Sequence, residues 1–133
     1  MAGASLAELI ELDSNFLVAA RASNSLEGRR LEHWLASGLT IQISAVAWSE
    51  YLCGPLSEID REIGRKLAGN IEPFTEGDAE LASVLFNATG RRSRSHADCM
   101  IAAHAVRRGA LLATLNLRDF RRFEKFHLRL ALR

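Results

Sequence analysis

Five oxygen-bearing side chains stand at or near the ends of apolar segments: Asp13, Glu50, Asp98, Asn116 and Asp119. Asp13 stops the apolar run in "LIELDSNFLVAA". Glu50 interrupts "AVAWSEYL", Asp98 lies three residues after Ser95, and Asn116 and Asp119 follow "ALLAT". Singly, each has an ordinary role. Asp13 suits the cap of a helix starting near Phe16. Asp98 suits a capping box with Ser95. Glu50 suits a helix surface, although Val46, Ala47, Trp48, Tyr51 and Leu52 around it are apolar. Asn116 suits an N-cap, and Asp119 a solvated partner of Arg118 or Arg122. Together they suggest something else. Clustered carboxylates repel unless a cation neutralises them. Oxygen-only ligands select hard ions such as Mg²⁺ or Mn²⁺. Such ions activate water and clamp the oxygens of an in-line displacement at phosphorus, which points to phosphodiester hydrolysis.

Elements must bring these residues together. Leu6–Leu12, "LTIQIS" (39–44), Ile71–Phe74 and "ALLAT" (110–114) read as short buried strands, and "HLRLAL" as a last one. Helices are expected between them. Phe16–Arg21 is short; the next opens on an Asn24/Glu27 capping pattern and closes near Gly38. Ala45–Cys53 is ended by Gly54-Pro55. Ser57 with Asp60 opens a helix carrying Ile59, Ile63 and Leu67 at i, i+4, i+8. Thr75 with Asp78 opens another, bearing Leu81, Val84, Leu85 and Ala88. Ser95 with Asp98 opens a last long helix, which Gly109 closes. Such alternation predicts an α/β fold with a mainly parallel sheet, whose ligands bind beyond the carboxyl ends of the strands.

The 133 residues fit one domain spanning 1–133, and 48% apolar content supports a substantial core. The net charge of +1 conceals segregation. Residues 1–90 hold 6 Lys and Arg against 13 Asp and Glu; residues 91–133 hold 11 against 3. An acidic pocket beside a basic surface suits a metal-dependent enzyme acting on nucleic acid. A solvated face or an acidic protein partner explains the arginines equally well. Cys53 and Cys99 lack zinc-ligand spacing and read as core positions of an intracellular protein. His33, His96, His104 and His127 read as surface or core residues. There is no basic leader and no apolar run of membrane length, so a soluble cytoplasmic protein is expected.

"LDSN", "ISAVAWSEYLCG", "SHADCMIAAHAVRRGALLAT" and "LNLRDF", in this order from Leu12 to Phe120, resemble the PIN-domain ribonucleases, and among them the VapC-type toxins of bacterial toxin–antitoxin pairs. The resemblance implies a three-layer α/β/α sandwich around a mainly parallel sheet. It implies a Mg²⁺- or Mn²⁺-dependent endoribonuclease in which Asp13, Glu50 and Asp98 bind metal. Many members carry Asp two residues after the strand's Thr. Here Asn116 stands there, so Asp119 supplies that charge directly or through water. Ser14 and Thr114 are implied to orient ligands by hydrogen bonding. Arg91, Arg92, Arg94, Arg118 and Arg121 are candidates to hold RNA. The resemblance further implies a homodimer and a small antitoxin that occludes the pocket, with no membrane partner. The Asn116 departure keeps open an alternative, a catalytically inactive PIN-like interaction module. A receiver-like phosphotransfer domain also places an Asp after its first strand. It requires a Lys after a late strand, and neither Lys66 nor Lys125 is so placed.

Overall fold

The computed structural model describes residues 8–132. Five strands form one sheet: β1 (Leu9–Leu12), β2 (Thr40–Ser44), β3 (Asn70–Glu72), β4 (Leu111–Ala113) and β5 (Arg129–Leu130). Their order is β3-β2-β1-β4-β5 and every pairing is parallel. The helices are α1 (Ser14–Ala20), α2 (Leu26–Ala36), α3 (Ala45–Leu52), α4 (Glu58–Ala68), α5 (Glu76–Ala88), α6 (His96–Arg108) and α7 (Leu117–Phe120). A 3-10 helix, Arg121–Phe126, joins α7 to β5. The α/β expectation holds, with Leu6 and Ala7 of the first expected strand outside the described residues.

The strand order locates the crevice. From β1 the chain steps outward to β2 and β3, then crosses back to β4 on the other side of β1. With right-handed crossovers, the two directions of travel place their helices on opposite faces. A parallel sheet that reverses direction opens a cleft at the carboxyl ends of the two strands flanking the reversal. Those strands are β1 and β4, paired Ile10 to Leu111 and Leu12 to Ala113. The Asp13 amide extends the ladder one step, donating to the Ala113 carbonyl at 2.9 Å.

The core comprises Ile10, Leu12 and Ile43 of the strands with Phe16, Leu17, Leu85, Ile101, Phe120 and Phe123 packed over them. Small residues set the helix spacing. Gly64 of α4 lies so near Tyr51 of α3 that a Cβ there would meet its ring at 2.5 Å. Gly69 sits at φ +71°, where a Cβ would meet the Ile41 carbonyl at 2.2 Å, so only glycine makes the turn from α4 into β3.

Local expectations are met unevenly. Ser57 caps α4 by accepting from the Asp60 amide, and Thr75 with Asp78 forms a full capping box on α5. Asn24 does not cap α2: it lies in the turn at φ 59°, and Ser25 accepts from the Gly28 amide instead. Ile59 and Ile63 do not face the core; they are 70% and 36% exposed, and α4 buries Gly64 and Ala68 instead. Cys99 is buried as expected, but Cys53 ends α3 at the surface. No helix among the described residues is long and apolar enough to cross a membrane.

Candidate active site

The cleft between β1 and β4 receives Asp13 first. It is 4% exposed and serves two purposes together. As N-cap of α1, its Oδ1 accepts from the Ser14 amide at 2.8 Å. Its Oδ2 accepts from Thr114 Oγ1, also at 2.8 Å, across the β1–β4 junction. Capping and siting in the cleft are thus compatible, since one oxygen holds the helix and the other faces the neighbouring strand.

Burial first, then the charges of Glu50 and Glu11, raise the Asp13 pKa from 3.8 to about 6 against the pull of the Thr114 and Ser14 hydrogen bonds. Glu50, on the second turn of α3, is more open to solvent; Ser14 Oγ donates to its Oε1 at 3.2 Å. Desolvation and then the charge of Asp98 push its pKa up, opposed by the Ser14 hydrogen bond. Asp98 is half-buried, and its pKa is raised by burial, by Asp13 and by Asp119, with Arg122 opposing. Asp13 feels Glu50, Glu50 feels Asp98, and Asp98 feels Asp13 and Asp119, so acids from separate segments stand near one another.

The expected Ser95–Asp98 capping box is absent. Ser95 has a helical backbone, makes no side-chain cap, and turns its hydroxyl to the Arg92 carbonyl at 2.7 Å. That leaves the Asp98 carboxylate free to face the other acids. Asn116 likewise makes no side-chain cap for α7; its Nδ2 donates to Asp119 Oδ2 at 3.0 Å, and its amide donates to Thr114 Oγ1. The amide and the acid therefore act as a pair, with Asn116 holding Asp119.

The donor set is all oxygen, partly desolvated and in electrostatic conflict, which fits a hard divalent cation. Among the described residues no three His, Cys, Asp or Glu side chains come close enough to enclose an ion by themselves. Mg²⁺ needs less, because it commonly keeps several waters and takes only one or two carboxylates.

The five candidate arginines are all exposed. Arg91, Arg92 and Arg94 are exposed in the loop before α6, with Arg91 and Arg94 at φ 53° and 65°. Arg118 and Arg121 are exposed on α7 and at the start of the 3-10 helix. None of the five pairs with an acid of the cleft among the described residues.

Sequence reasoning overlooked three neighbours. Asn15 Oδ1 accepts from the Leu115 amide at 3.1 Å, tying the start of α1 to the loop after β4. Glu11 is fully buried, with Oε1 2.7 Å from both Gln42 Nε2 and His104 Nδ1. His104 Nε2 lies 3.1 Å from the Pro73 carbonyl, which only accepts, so that nitrogen carries a proton. The Nδ1–Glu11 contact joins α6 to β1. The signal was there: an acid in the middle of the buried strand "LIEL" demands a partner. The third is Arg122, whose charge reaches Asp98.

Residues 10–126 match the PIN domain family. No curated protein matches the chain. Among solved structures, the chain is similar to VapBC2 from Rickettsia felis bound to a DNA fragment from their promoter, with 24% identity, a TM-score of 0.69, and 92% of this chain and 96% of that one covered. It is similar to VapBC-1 from nontypeable Haemophilus influenzae, with 17% identity, a TM-score of 0.72 and the same coverage. It is also similar to VapC20 of Mycobacterium tuberculosis, a sarcin-ricin loop cleaving toxin, with 15% identity, a TM-score of 0.55, and 76% and 84% covered.

Proposed function

This chain belongs to the PIN-domain family, and from that premise we propose that it is a divalent-metal-dependent endoribonuclease, the toxin of a type II toxin–antitoxin pair. One observation carries the reading. Asp13, Glu50 and Asp98 come from three distant segments, yet the charge of a neighbouring acid raises the pKa of each at the cleft where the sheet reverses, with Asp119 acting on Asp98. Folding holds them there at a cost that a bound cation offsets.

Asp13, Glu50 and Asp98 would hold the ion, with Asp119 beside them. When bound, Mg²⁺ or Mn²⁺ lowers the pKa of water and neutralises phosphate charge. The protein orients the rest. Thr114 and the Ser14 amide fix both Asp13 oxygens, and the Ser14 hydroxyl steadies Glu50. Asn116 holds Asp119 through its side chain, so the amide replaces a ligand charge with a positioning contact. The exposed arginines of the 91–94 loop and α7 supply cations for the RNA backbone.

Val18, Leu26, Leu35 and Ile59 are 44%, 51%, 53% and 70% exposed on α1, α2 and α4. Exposed apolar side chains on neighbouring helices suit a protein partner, and we assign them to the antitoxin or to a second copy of the chain. A cytoplasmic location accords with that role.

The test is cleavage of cellular RNA by the purified chain with Mg²⁺ or Mn²⁺, compared with excess EDTA and with Asp98→Asn. Cutting should need the metal and should vanish in the variant. Equal cutting in EDTA would sink the proposal. An inactive interaction module is the second reading, favoured by Asn116 where many PIN proteins carry an acid. A Mn²⁺ titration showing no binding at the cleft would favour it.

A further inference from the structure

Phe86 and His96 are separate in the chain and meet in space. Their ring centroids are 5.7 Å apart with the planes at 78°, an edge-to-face contact. Phe86 lies in the last turn of α5, and His96 is the first residue of α6. The contact therefore closes the intervening segment, "NATGRRSRS" (87–95), into a loop with an aromatic pair at its base. The backbone of that loop takes an uncommon form. Gly90, Arg91 and Arg94 stand at φ 87°, 53° and 65°. Arginine seldom enters the left-handed region and stays there where its surroundings enforce it. Here the Arg91 amide donates to the Phe86 carbonyl at 3.0 Å. The Ser95 amide and hydroxyl both donate to the Arg92 carbonyl, at 3.2 and 2.7 Å, and Ser95 is buried, which anchors the return into α6.

The two rings differ in exposure. Phe86 is half-buried, whereas His96 is exposed beside it. Arg91, Arg92 and Arg94 are exposed as well, and among the described residues none of them forms an ion pair. Asp98 shares the first turn of α6 with His96. Cations alone would serve any polyanion. A held, exposed ring among them adds what a single-stranded nucleic acid can use, a surface on which an unpaired base stacks. The contact with Phe86 restricts the imidazole in advance, so less freedom is lost when a base lands on it.

We propose that His96, held by Phe86, is a base-stacking residue of the RNA site, taking the face of an unpaired nucleobase while the arginines of the 91–94 loop hold the backbone. The proposal rests on the ribonuclease reading and deepens it. The substrate is a single strand or an unpaired loop at this point, because a base inside a duplex is covered by its neighbours. The place of His96 on the turn that carries Asp98 sets that base near a candidate metal ligand.

The test is binding, in Mg²⁺, of a cleavage-resistant 2′-O-methyl phosphorothioate octaribonucleotide to the full wild-type chain, His96→Ala and His96→Phe. The control strand has the same backbone made without bases. His96→Ala is expected to bind the octaribonucleotide about tenfold more weakly, and His96→Phe to match wild type, because a phenyl ring stacks without a nitrogen. All three should bind the baseless strand alike. In proton NMR, the His96 ring signals, identified by their loss in the variants, should move upfield with the octaribonucleotide and not with the baseless strand. Wild-type affinity in His96→Ala overturns the proposal. So does an equal loss in His96→Phe, which marks a hydrogen bond or a charge, and so does an equal loss on the baseless strand, which marks a backbone contact. A wild-type chain that binds neither strand overturns it too. Because binding is read and not cutting, a chain that stacks the strand but cuts no RNA fails the ribonuclease reading alone. A chain that cuts RNA while His96→Ala binds as wild type fails this proposal alone.

Discussion

Thr114 Oγ1 donates to Asp13 Oδ2 at 2.8 Å, joining the carboxyl ends of β4 and β1 across the cleft. The same hydroxyl accepts from the Asn116 amide at 3.0 Å, so one buried oxygen orients the acid on one side and the α7 segment on the other. If Asp13 holds the proposed cation, Thr114 fixes the orientation of that ligand. Thr114→Val should therefore weaken Mn²⁺ binding by about 10- to 100-fold, with Thr114→Ser close to wild type. Calorimetric titration of both variants checks this; wild-type affinity in Thr114→Val would refute the orienting role.

Asp13 is an acid with a raised pKa in the folded chain, and the sign follows from that. Below about pH 3.8 it is protonated in both states and costs nothing; between about pH 3.8 and 6 the unfolded chain ionises while the folded one resists, so stability is lost across that window and the full cost stands above about pH 6. Metal-free Asp13→Asn should thus exceed wild type in stability at pH 7 by on the order of 2–3 kcal/mol, the gap closing towards pH 4. Saturating Mg²⁺ should narrow it for wild type. Urea melts in EDTA across that pH range read the gap directly, and a wild-type chain as stable as the variant at pH 7 would contradict the assignment.

Asp78 shows the opposite sign. Burial alone would raise its pKa, but hydrogen bonds from Arg108, the Thr75 amide and Arg107 override this and hold the carboxyl well below the usual carboxylate range. Its contribution is present above about pH 3.8 and lost as pH falls further. Removing the acid leaves Arg107 and Arg108 without their shared partner. Asp78→Ala should cost about 3–5 kcal/mol at pH 7, and its deficit should shrink in acid. Thermal melts at pH 7 and pH 3 measure both; a deficit that persisted unchanged at pH 3 would show that packing, not charge, is lost.

Gly64→Ala tests how tightly α3 is held. The new methyl meets the Tyr51 ring, and that ring cannot yield freely. Its hydroxyl donates to the Asp60 carbonyl at 2.6 Å and accepts from Arg21 Nη1 at 3.1 Å. A loss of about 1–3 kcal/mol is expected from overpacking. Because Glu50 precedes Tyr51 on α3, cutting should also slow in the folded variant. Denaturant melts with single-turnover assays separate the two effects, and unchanged values in both would mean that α3 shifts without consequence.

The parallel α/β fold was legible because its signals are local. Short β-branched runs alternate with helices whose caps lie three residues from their partners, as at Ser57 and Thr75. The acids at the strand ends were legible too, since each follows an apolar run. What misled was also local. Asn24 and Ser95 have capping chemistry, but the first lies in a left-handed turn and the second bonds to the Arg92 carbonyl. Ile59 and Ile63 have helical spacing, which predicts the helix but not which of its faces meets the core.

By itself, the sequence determined which segments become strands and helices, and that oxygen donors close several of them, because propensity, periodicity and capping act within a few residues. Only the tertiary structure decided that Asp13 and Thr114 share a hydrogen bond 101 residues apart and that Glu11 Oε1 meets His104 Nδ1 across 93. Those outcomes depend on which strand becomes the neighbour of β1 and on how much water each charge loses, and burial and Coulomb forces act through space, not along the chain.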